Sequence, residues 1–208
     1  MNSSGTAFRQ SPTPRLILAS GSQARLAVLR AAGLEVLVRP SQVDEDAAKQ
    51  AARSQALDAG AAASMLAGLK ARQIDDPDAL VIGADQILVC DGHWFDKPGS
   101  LRAAAAHLRA LRGREHVLHT AVVVLQRGTL VWQHAATPRL RMRQLSDDFI
   151  DAYVAAEGEP ILSCVGAYRV EGLGIQLFES IEGEHAAILG LPLLPLLGFL
   201  RRRGMVAT

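Results

Sequence analysis

Apolar residues recur along the chain in two patterns, as short continuous runs and at helical spacing. The run RLILAS at residues 15–20 predicts a buried strand, and Ser22 predicts the N-cap of a helix over QARLAVLRAAG. Gly33 fits the end of that helix, and LEVLVRP predicts a second strand that stops at Pro40. This part of the chain therefore predicts a strand, a capped helix and a strand in succession.

The middle of the chain predicts helices on either side of a hairpin. The alanine-rich residues 46–73 favour helix, with an interruption at Gly60 and a firmer second half. The segments VIGADQILVC and HWF, within residues 81–95, predict two paired strands, because the Asp-Gly dipeptide between them is a two-residue turn signal. A further helix is expected over residues 100–112.

The second half of the chain predicts a long hairpin, EHVLHTAVVVLQRGTLVWQHAATPRLRMR, turning at residues 127–128. Ser146 predicts the N-cap of another helix, and glycine-punctuated strand leads to a final helix. Strands and helices mix without a strict β-α-β rhythm, so the predicted fold class is a mixed α/β sheet flanked by helices. No repeat or linker interrupts the pattern, so we expect one domain over residues 15–208 after a disordered lead-in over residues 1–14.

Composition limits the classes of partner. The net charge of +1 gives no overall basic field, so we expect neither polymeric nucleic acid nor a membrane surface as partner, and an anionic ligand needs a local positive cluster. The polar N-terminus does not resemble a secretory signal, and ILGLPLLPLLGFL is shorter than the roughly 20 residues of a membrane span. With only Cys90 and Cys164, both expected to be reduced, we predict a cytoplasmic location.

The segment LASGSQAR, residues 18–25, combines a strand, a glycine turn and a serine-capped helix. Free backbone N–H groups at a helix N-terminus favour phosphate, and the hydroxyls of Ser20 and Ser22 add donors. Arg25 lies one turn further and can reach the same point. A plain N-cap with a surface arginine explains the same residues, and the spacing of a P-loop is missing.

Acids and lysines supply further candidates. Asp85 lies inside an apolar strand, where a carboxylate is costly unless it is paired or bound to a cation, whereas Gln86 faces the other side unless the strand ends or bulges. Glu45, in VDEDAAK, is either part of a solvated helix start or an oxygen ligand for Mg²⁺. Lys70 and Lys97 fit either a surface position or an anion site.

The segment VGAYRVEGLGIQLFESIEG carries an acid between closely spaced glycines. Glycine lets the backbone approach a flat ligand closely, and Glu171 can accept hydrogen bonds from a purine edge. A turn-rich hairpin with a solvated acid is the simpler explanation.

Eight short motifs, taken together and in order, resemble the Maf family of nucleoside triphosphate pyrophosphatases. They are LILASGSQAR, VDE, LKA, GADQ, DKP, GREHVLHTAV, VGAY…EG and GLPL, and they extend from Arg15 to about Arg203. The resemblance implies the mixed α/β fold of inosine triphosphate pyrophosphatases, with two lobes and a central cleft.

The resemblance also implies roles for individual residues. Asp85 matches the family's catalytic acid, described as a proton acceptor. Arg25 matches the retained arginine after the first serine-rich turn, whereas Gln23 and Ala24 replace a more usual Pro-Arg. The triphosphate site is expected to comprise Ser20, Ser22, Arg25, Glu45, Lys70 and Lys97, and the positions that select the base are expected to be Ala24, Gln86 and Glu171.

These assignments predict an enzyme that hydrolyses a nucleoside triphosphate to the monophosphate and pyrophosphate. Glu45 and Asp85 are expected to hold Mg²⁺ or a similar divalent cation such as Mn²⁺ or Co²⁺, unless Asp85 orients the attacking water instead. Gln86 with Glu171 resembles the 7-methyl-GTP subgroup, and dTTP or UTP is the alternative substrate. A regulator of septum formation that acts by binding a partner is the alternative from another class. The family implies a homodimer.

Overall fold

The computed structural model describes residues 10–207, so most of the predicted disordered lead-in, residues 1–9, lies outside the described residues. The described strands are β1 (Arg15–Leu18), β2 (Val36–Val38), β3 (Ala79–Cys90), β4 (His93–Phe95), β5 (Glu115–Gln126), β6 (Thr129–Ala136), β7 (Arg139–Met142) and β8 (Phe178–Glu182). The described α-helices are α1 (Gln23–Ala31), α2 (Glu45–Ser54), α3 (Ala59–Arg72), α4 (Leu101–Leu111), α5 (Asp147–Glu157), α6 (His185–Ile188) and α7 (Leu193–Arg202).

The strands form a mixed sheet, as predicted from the absence of a regular β-α-β rhythm. They are hydrogen-bonded in the order β2-β1-β3-β5-β7-β8, with β4 on β3 and β6 on β5. β1 is parallel to both β2 and β3, whereas β4, β6, β7 and β8 each pair antiparallel with their neighbours. The predicted fold class is confirmed.

The chain divides into two compact units, in agreement with two lobes. Within the described residues, unit 1 comprises the chain up to Asp85, Thr120–Ala136 and the chain from His185 onward. Unit 2 comprises Gln86–His119 and Thr137–Glu184.

The apolar core of unit 1 positions the segment LASGSQAR. Side chains of β1, α1, β3, the second half of β5 and α7 form one buried cluster that includes Leu18, Leu29, Ile82 and Leu200. Helix α3 lies directly on β3 at Gly83, where a Cβ atom would stand 2.1 Å from the carbonyl oxygen of Ala67. Only glycine allows this approach, which brings the side chains of α3 over the strand that carries the central acid.

Several predicted elements agree with the structure. Ser22, Ser100 and Ser146 accept hydrogen bonds at the starts of their helices, as N-caps should. Asp91 and Gly92 both have positive φ in the predicted hairpin turn. The long hairpin is also present: β6 and β7 both pair with β5, with a shift of register between Val124 and Leu125 and an interruption at residues 137–138, where Pro138 has no N–H to donate.

Two predictions were wrong. The helical region breaks at residues 55–58 rather than at Gly60, because Asp58 accepts a hydrogen bond from the backbone of Ala61 and begins a new helix that includes Gly60. Residues 159–177, expected as glycine-punctuated strand, contain the 3₁₀ helices Glu159–Ser163 and Leu173–Leu177. Within residues 10–207, no helix combines the length and apolar character that crossing a membrane requires.

Candidate active site

The turn between β1 and α1 is held together by two serine hydroxyls. Ser22 Oγ accepts from the backbone N–H of Arg25 at 3.3 Å. Ser20 Oγ accepts from the backbone N–H of Ser22 at 3.3 Å and from Arg25 Nη1 at 3.0 Å. Because a hydroxyl oxygen that accepts two hydrogen bonds still carries its own proton, Ser20 remains able to donate to an anion.

Arg25 is fixed by unit 1 on two sides. Its Nη1 contacts Ser20, and its Nε donates to the carbonyl oxygen of Gly190 at 2.9 Å. Gly190 has φ of +96°, and a Cβ atom there would stand 3.0 Å from Arg25 Nε. Burial lowers the pKa of Arg25, whereas the charges of Asp85 and Glu45 raise it, so those two carboxylates lie in the same neighbourhood.

One lysine joins the two predicted acids. Lys70 Nζ lies 2.5 Å from Asp85 Oδ1 and 2.7 Å from Glu45 Oε1. Lys70 and Asp85 are both buried, and the Glu45 side chain is 30% exposed. The close packing at Gly83 explains the contact, because Gly83 and Asp85 share the face of β3 that lies under α3.

Asp85 has one buried oxygen without a partner. Its Oδ1 contacts Lys70, but no hydrogen-bond partner for its Oδ2 exists among residues 10–207. A buried carboxylate oxygen without a protein partner is costly, so this oxygen is suited to binding water or a cation.

The two carboxylates could provide part of the ligand set of a hard divalent cation. Glu45 and Asp85 are oxygen ligands that converge on one cationic group, Lys70, and Mg²⁺ is commonly held by one or two carboxylates together with substrate phosphates. The described part of the chain contains no group of three or more His, Cys, Asp or Glu side chains suited to a metal ion. The remaining ligands of a bound ion would therefore come from water or substrate phosphates.

Two predicted residues lie in unit 2 near its start. Gln86 follows Asp85 on β3 and is half-buried, and β3 continues to Cys90, so the strand does not end between the acid and the amide. Lys97 lies in the loop between β4 and α4, exposed beside the buried Pro98.

Glu171 belongs to a network of charged side chains in unit 2. Arg169 contacts Glu171 Oε1 at 3.3 Å through Nε and Glu157 Oε2 at 3.1 Å through Nη1. Glu157 Oε1 also accepts from the backbone N–H of Leu173 at 2.8 Å, and its side chain is only 5% exposed. Burial lowers the pKa of Arg169, but the charges of Glu171 and Glu157 raise it more. A nearly buried acid therefore holds the arginine that contacts Glu171.

Sequence reasoning missed Glu157 and Gly190. Glu157 is the last residue of α5, where the helix dipole disfavours an acid, and that conflict was the available signal. Gly190 belongs to the GLPL motif, but its contact with Arg25 bridges 165 positions of the chain and no local pattern reveals it.

The motifs GREHVLHTAV and VGAY meet in a buried contact. His116 Nε2 lies 2.9 Å from the hydroxyl of Tyr168, and burial lowers the pKa of His116 to about 4. A Cβ atom at Gly166 would stand 2.1 Å from the Tyr168 ring, so glycine leaves room for that ring. These residues support the turn that leads to Glu171 and have a structural explanation.

The fold and this set of side chains define an α/β protein with a candidate site for a phosphorylated ligand. The family model described as Maf-like protein matches residues 15–203, and the chain belongs to this family.

Curated relatives match nearly the whole chain. A nucleoside triphosphate pyrophosphatase of Gluconobacter oxydans is 53% identical over 93% of this chain and 97% of its own length. One of Granulibacter bethesdensis is 52% identical over 90% of this chain and 96% of its own length. A 7-methyl-GTP pyrophosphatase of Rhizobium etli is 43% identical over 93% of this chain and 98% of its own length.

Proposed function

We propose that this protein is a nucleoside triphosphate pyrophosphatase, which releases the nucleoside monophosphate and pyrophosphate. The observation that carries the proposal is the buried contact of Lys70 with both Glu45 and Asp85, in the same unit as the serine turn. The names of relatives about half identical to this chain support the same reaction. They do not favour the alternative of a septum-formation regulator that only binds nucleotide.

The polyphosphate is bound by the positive and hydroxyl groups already described. The hydroxyl groups of Ser20 and Ser22 donate hydrogen bonds to the phosphates, while Arg25, Lys70 and Lys97 supply positive charge. These contacts hold the α-phosphorus in position for attack by water, and phosphoryl transfer depends mainly on such positioning and on charge stabilisation. The bond between the α-phosphorus and the bridging oxygen breaks, and pyrophosphate leaves with the electron pair.

Asp85 is the catalytic residue of this proposal. Lys70 occupies Oδ1 and keeps the carboxylate oriented, so Oδ2 meets either the attacking water or a divalent ion. In the first case Oδ2 accepts a proton from the water as the new bond to phosphorus forms.

Glu45 and Asp85 are the residues that would hold Mg²⁺, Mn²⁺ or Co²⁺. When bound, such an ion neutralises charge on the phosphates. The two carboxylates and the orphaned Oδ2 support this assignment.

The base is read by Gln86 and Glu171, with Ala24 as the third selecting position. The side chain of Glu171 is 34% exposed and is held in place through Arg169. A carboxylate complements the adjacent N–H donors of guanine and the positive charge of 7-methylguanine. The substrate proposed is therefore a purine nucleotide, with 7-methyl-GTP first and dTTP or UTP as the competing outcome.

A cytoplasmic location and a homodimer stay predictions. Cys90 is buried and Cys164 is partly buried, and neither forms a disulfide within the described residues. Cell fractionation and light scattering are the corresponding measurements.

The reaction is tested by incubating the wild-type protein with nucleotides and Mg²⁺ in ¹⁸O-labelled water. The proposal predicts equal amounts of monophosphate and pyrophosphate, with the label in the monophosphate because water attacks the α-phosphorus. Release of diphosphate and inorganic phosphate, or no turnover of any nucleotide, would contradict it.

A further inference from the structure

Glu157 places a negative charge where the end of a helix disfavours one. It is the last residue of α5, beside the partial negative charge of the helix C-terminus, and its side chain is only 5% exposed. Its Oε1 accepts from the backbone N–H of Leu173, a bond that a neutral amide side chain could also accept. Its Oε2 contacts Arg169 Nη1 at 3.1 Å, so the charge of Glu157 acts on Arg169.

The loop after Arg169 is built closely around these two residues. A Cβ atom at Gly172 would stand 2.7 Å from Glu157 Oε1, and one at Gly174 would stand 2.5 Å from the carbonyl oxygen of Arg169. Glycine at both positions therefore allows the loop to approach Glu157 and Arg169. The hydroxyl of Tyr153 accepts from the backbone N–H of Arg169 at 3.3 Å and holds the same residue from α5.

Two acids share one arginine in this network, so the charges do not cancel. Arg169 contacts Glu171 through Nε and Glu157 through Nη1, and two negative charges against one positive charge leave a net charge of −1. Burial raises the pKa of Tyr153 and that of Cys164, so these two neighbours stay neutral and do not change the sum.

Glu157 also limits how Arg169 pairs with Glu171. A guanidinium commonly binds a carboxylate through two parallel hydrogen bonds. Here Glu157 holds Nη1, and Arg169 contacts Glu171 at Oε1 alone, at 3.3 Å. Arg169 therefore does not occupy the second oxygen of Glu171, whose side chain is 34% exposed.

We propose that Glu157 is a positioning residue that makes the site around Glu171 select a positively charged base, such as an N7-alkylated purine, over its neutral counterpart. The inference rests on the proposed function, in which Glu171 contacts the base, and adds the residue that keeps this contact negatively charged. Without Glu157, one arginine and one glutamate would balance, and a cationic base would lose its electrostatic advantage. A purely structural role of Glu157 would affect neutral and cationic bases equally.

The test compares 7-methyl-GTP with two neutral nucleotides, GTP and 7-deaza-7-methyl-GTP, of which the second carries the methyl group without the charge. We expect Glu157→Gln to lower the ratio of kcat/KM for 7-methyl-GTP to that for each neutral nucleotide by roughly threefold to tenfold, as for one unit charge near solvent. The ratio between the two neutral nucleotides should not change.

Two further variants serve as controls. Glu157→Asp keeps the charge on a shorter side chain and should recover part of the preference for the cationic base. Glu159→Gln makes the same change as Glu157→Gln at an exposed acid nearby in the chain, and should match the wild type. Melting temperatures show that each variant is folded.

The outcomes separate this inference from the proposed function. A folded Glu157→Gln protein with the wild-type ratio, or with an equal loss for all three nucleotides, would overturn the inference, and so would a wild-type protein without preference for the cationic base. Dissociation constants of the corresponding monophosphates, from calorimetry, give the same ratios without turnover. A wild-type protein that shows the preference in binding but hydrolyses no nucleotide would refute the proposed function alone, and one that neither binds nor hydrolyses any would refute both.

Discussion

Asp85 lies in an apolar strand, where a carboxylate is costly, and this conflict is visible in the sequence. It interrupts an apolar strand, and the structure supplies one partner, Lys70, for only one of its two oxygens. Lys70 itself carried no such signal, since a lysine late in a helix is ordinary until tertiary packing buries it. The local sequence pattern therefore could not predict which site residues are buried or which residues distant in the chain pair with each other.

Glu171 and Gln86 allow a prediction about the base. Uracil presents one N–H between two carbonyl oxygens, so a carboxylate at its edge meets lone pairs as well as a donor, whereas guanine presents adjacent donors. Replacing Glu171→Gln together with Gln86→Thr should shift preference towards UTP or dTTP by tenfold or more, since an unmatched polar contact costs roughly 1–3 kcal/mol.

The measurement is kcat/KM for 7-methyl-GTP, GTP, UTP and dTTP on the wild type and the double variant. Glu179→Gln, the same change at an exposed acid of β8, serves as the control. A wild-type protein that already prefers UTP would contradict the assignment of these two residues while leaving the pyrophosphatase reaction intact.

At the scale of elements, capped helices and tight hairpins were predictable because their signals are local. Ser22 caps helix α1, and Asp91 and Gly92 adopt the positive φ values that a two-residue hairpin turn requires. The break before α3 was misplaced because glycine is tolerated in a first turn, and the cap at Asp58 was the stronger signal. The 3₁₀ helix Leu173–Leu177 escaped prediction because the backbone N–H at its start donates to the side chain of Glu157, which lies sixteen positions away in the chain.

The packing of α3 on β3 gives a prediction at this scale. Gly83→Ala would place a methyl group against the Ala67 carbonyl oxygen, so α3 must move. We expect the free energy of unfolding to fall by about 3 kcal/mol, as for severe overpacking. Activity should fall as well, because the shift displaces Lys70 from Asp85.

Chemical denaturation measures the change, with Gly99→Ala as the control. A Cβ atom at Gly99 would meet nothing within 4 Å, so that variant should retain wild-type stability. Equal stability of Gly83→Ala and the wild type would show that α3 does not constrain β3 in this way.

At the scale of the whole molecule, the order of strands depended on pairings that local signals do not encode. The mixed class of sheet was predictable, but the parallel pairing of β1 with β3 joins segments more than sixty residues apart. The resemblance to the family predicted the fold where periodicity could not, because its eight ordered motifs extend over residues 15 to about 203.

Stability should depend on pH through His116. Burial lowers its pKa to about 4, against about 6.5 in an unfolded chain, so the unfolded state binds a proton first as the pH falls. This contribution to stability is complete above about pH 6.5 and is lost progressively towards pH 4, by up to about 3 kcal/mol. His116→Gln should weaken that dependence, whereas the exposed His93→Gln should not.

The slope of unfolding free energy between pH 4 and pH 6.5, from denaturant titrations, is the quantity to compare. Absolute stability will also change when the contact with Tyr168 is lost, so the slope is the readout that isolates protonation. Identical slopes for His116→Gln and the wild type would contradict a buried neutral histidine.

The central claim is that Asp85 carries the reaction, and its amide variant tests this most directly. Asp85→Asn keeps the shape of the side chain but removes the charge that would accept a proton or bind a cation. Asp91→Asn makes the same change at an exposed acid in the hairpin turn.

The measurement is the rate of pyrophosphate release at saturating nucleotide and Mg²⁺, with the melting temperature as a check on folding. The account predicts that Asp85→Asn is folded and slower by on the order of a hundredfold or more, while Asp91→Asn keeps the wild-type rate. A folded Asp85→Asn protein that releases pyrophosphate at the wild-type rate would contradict it.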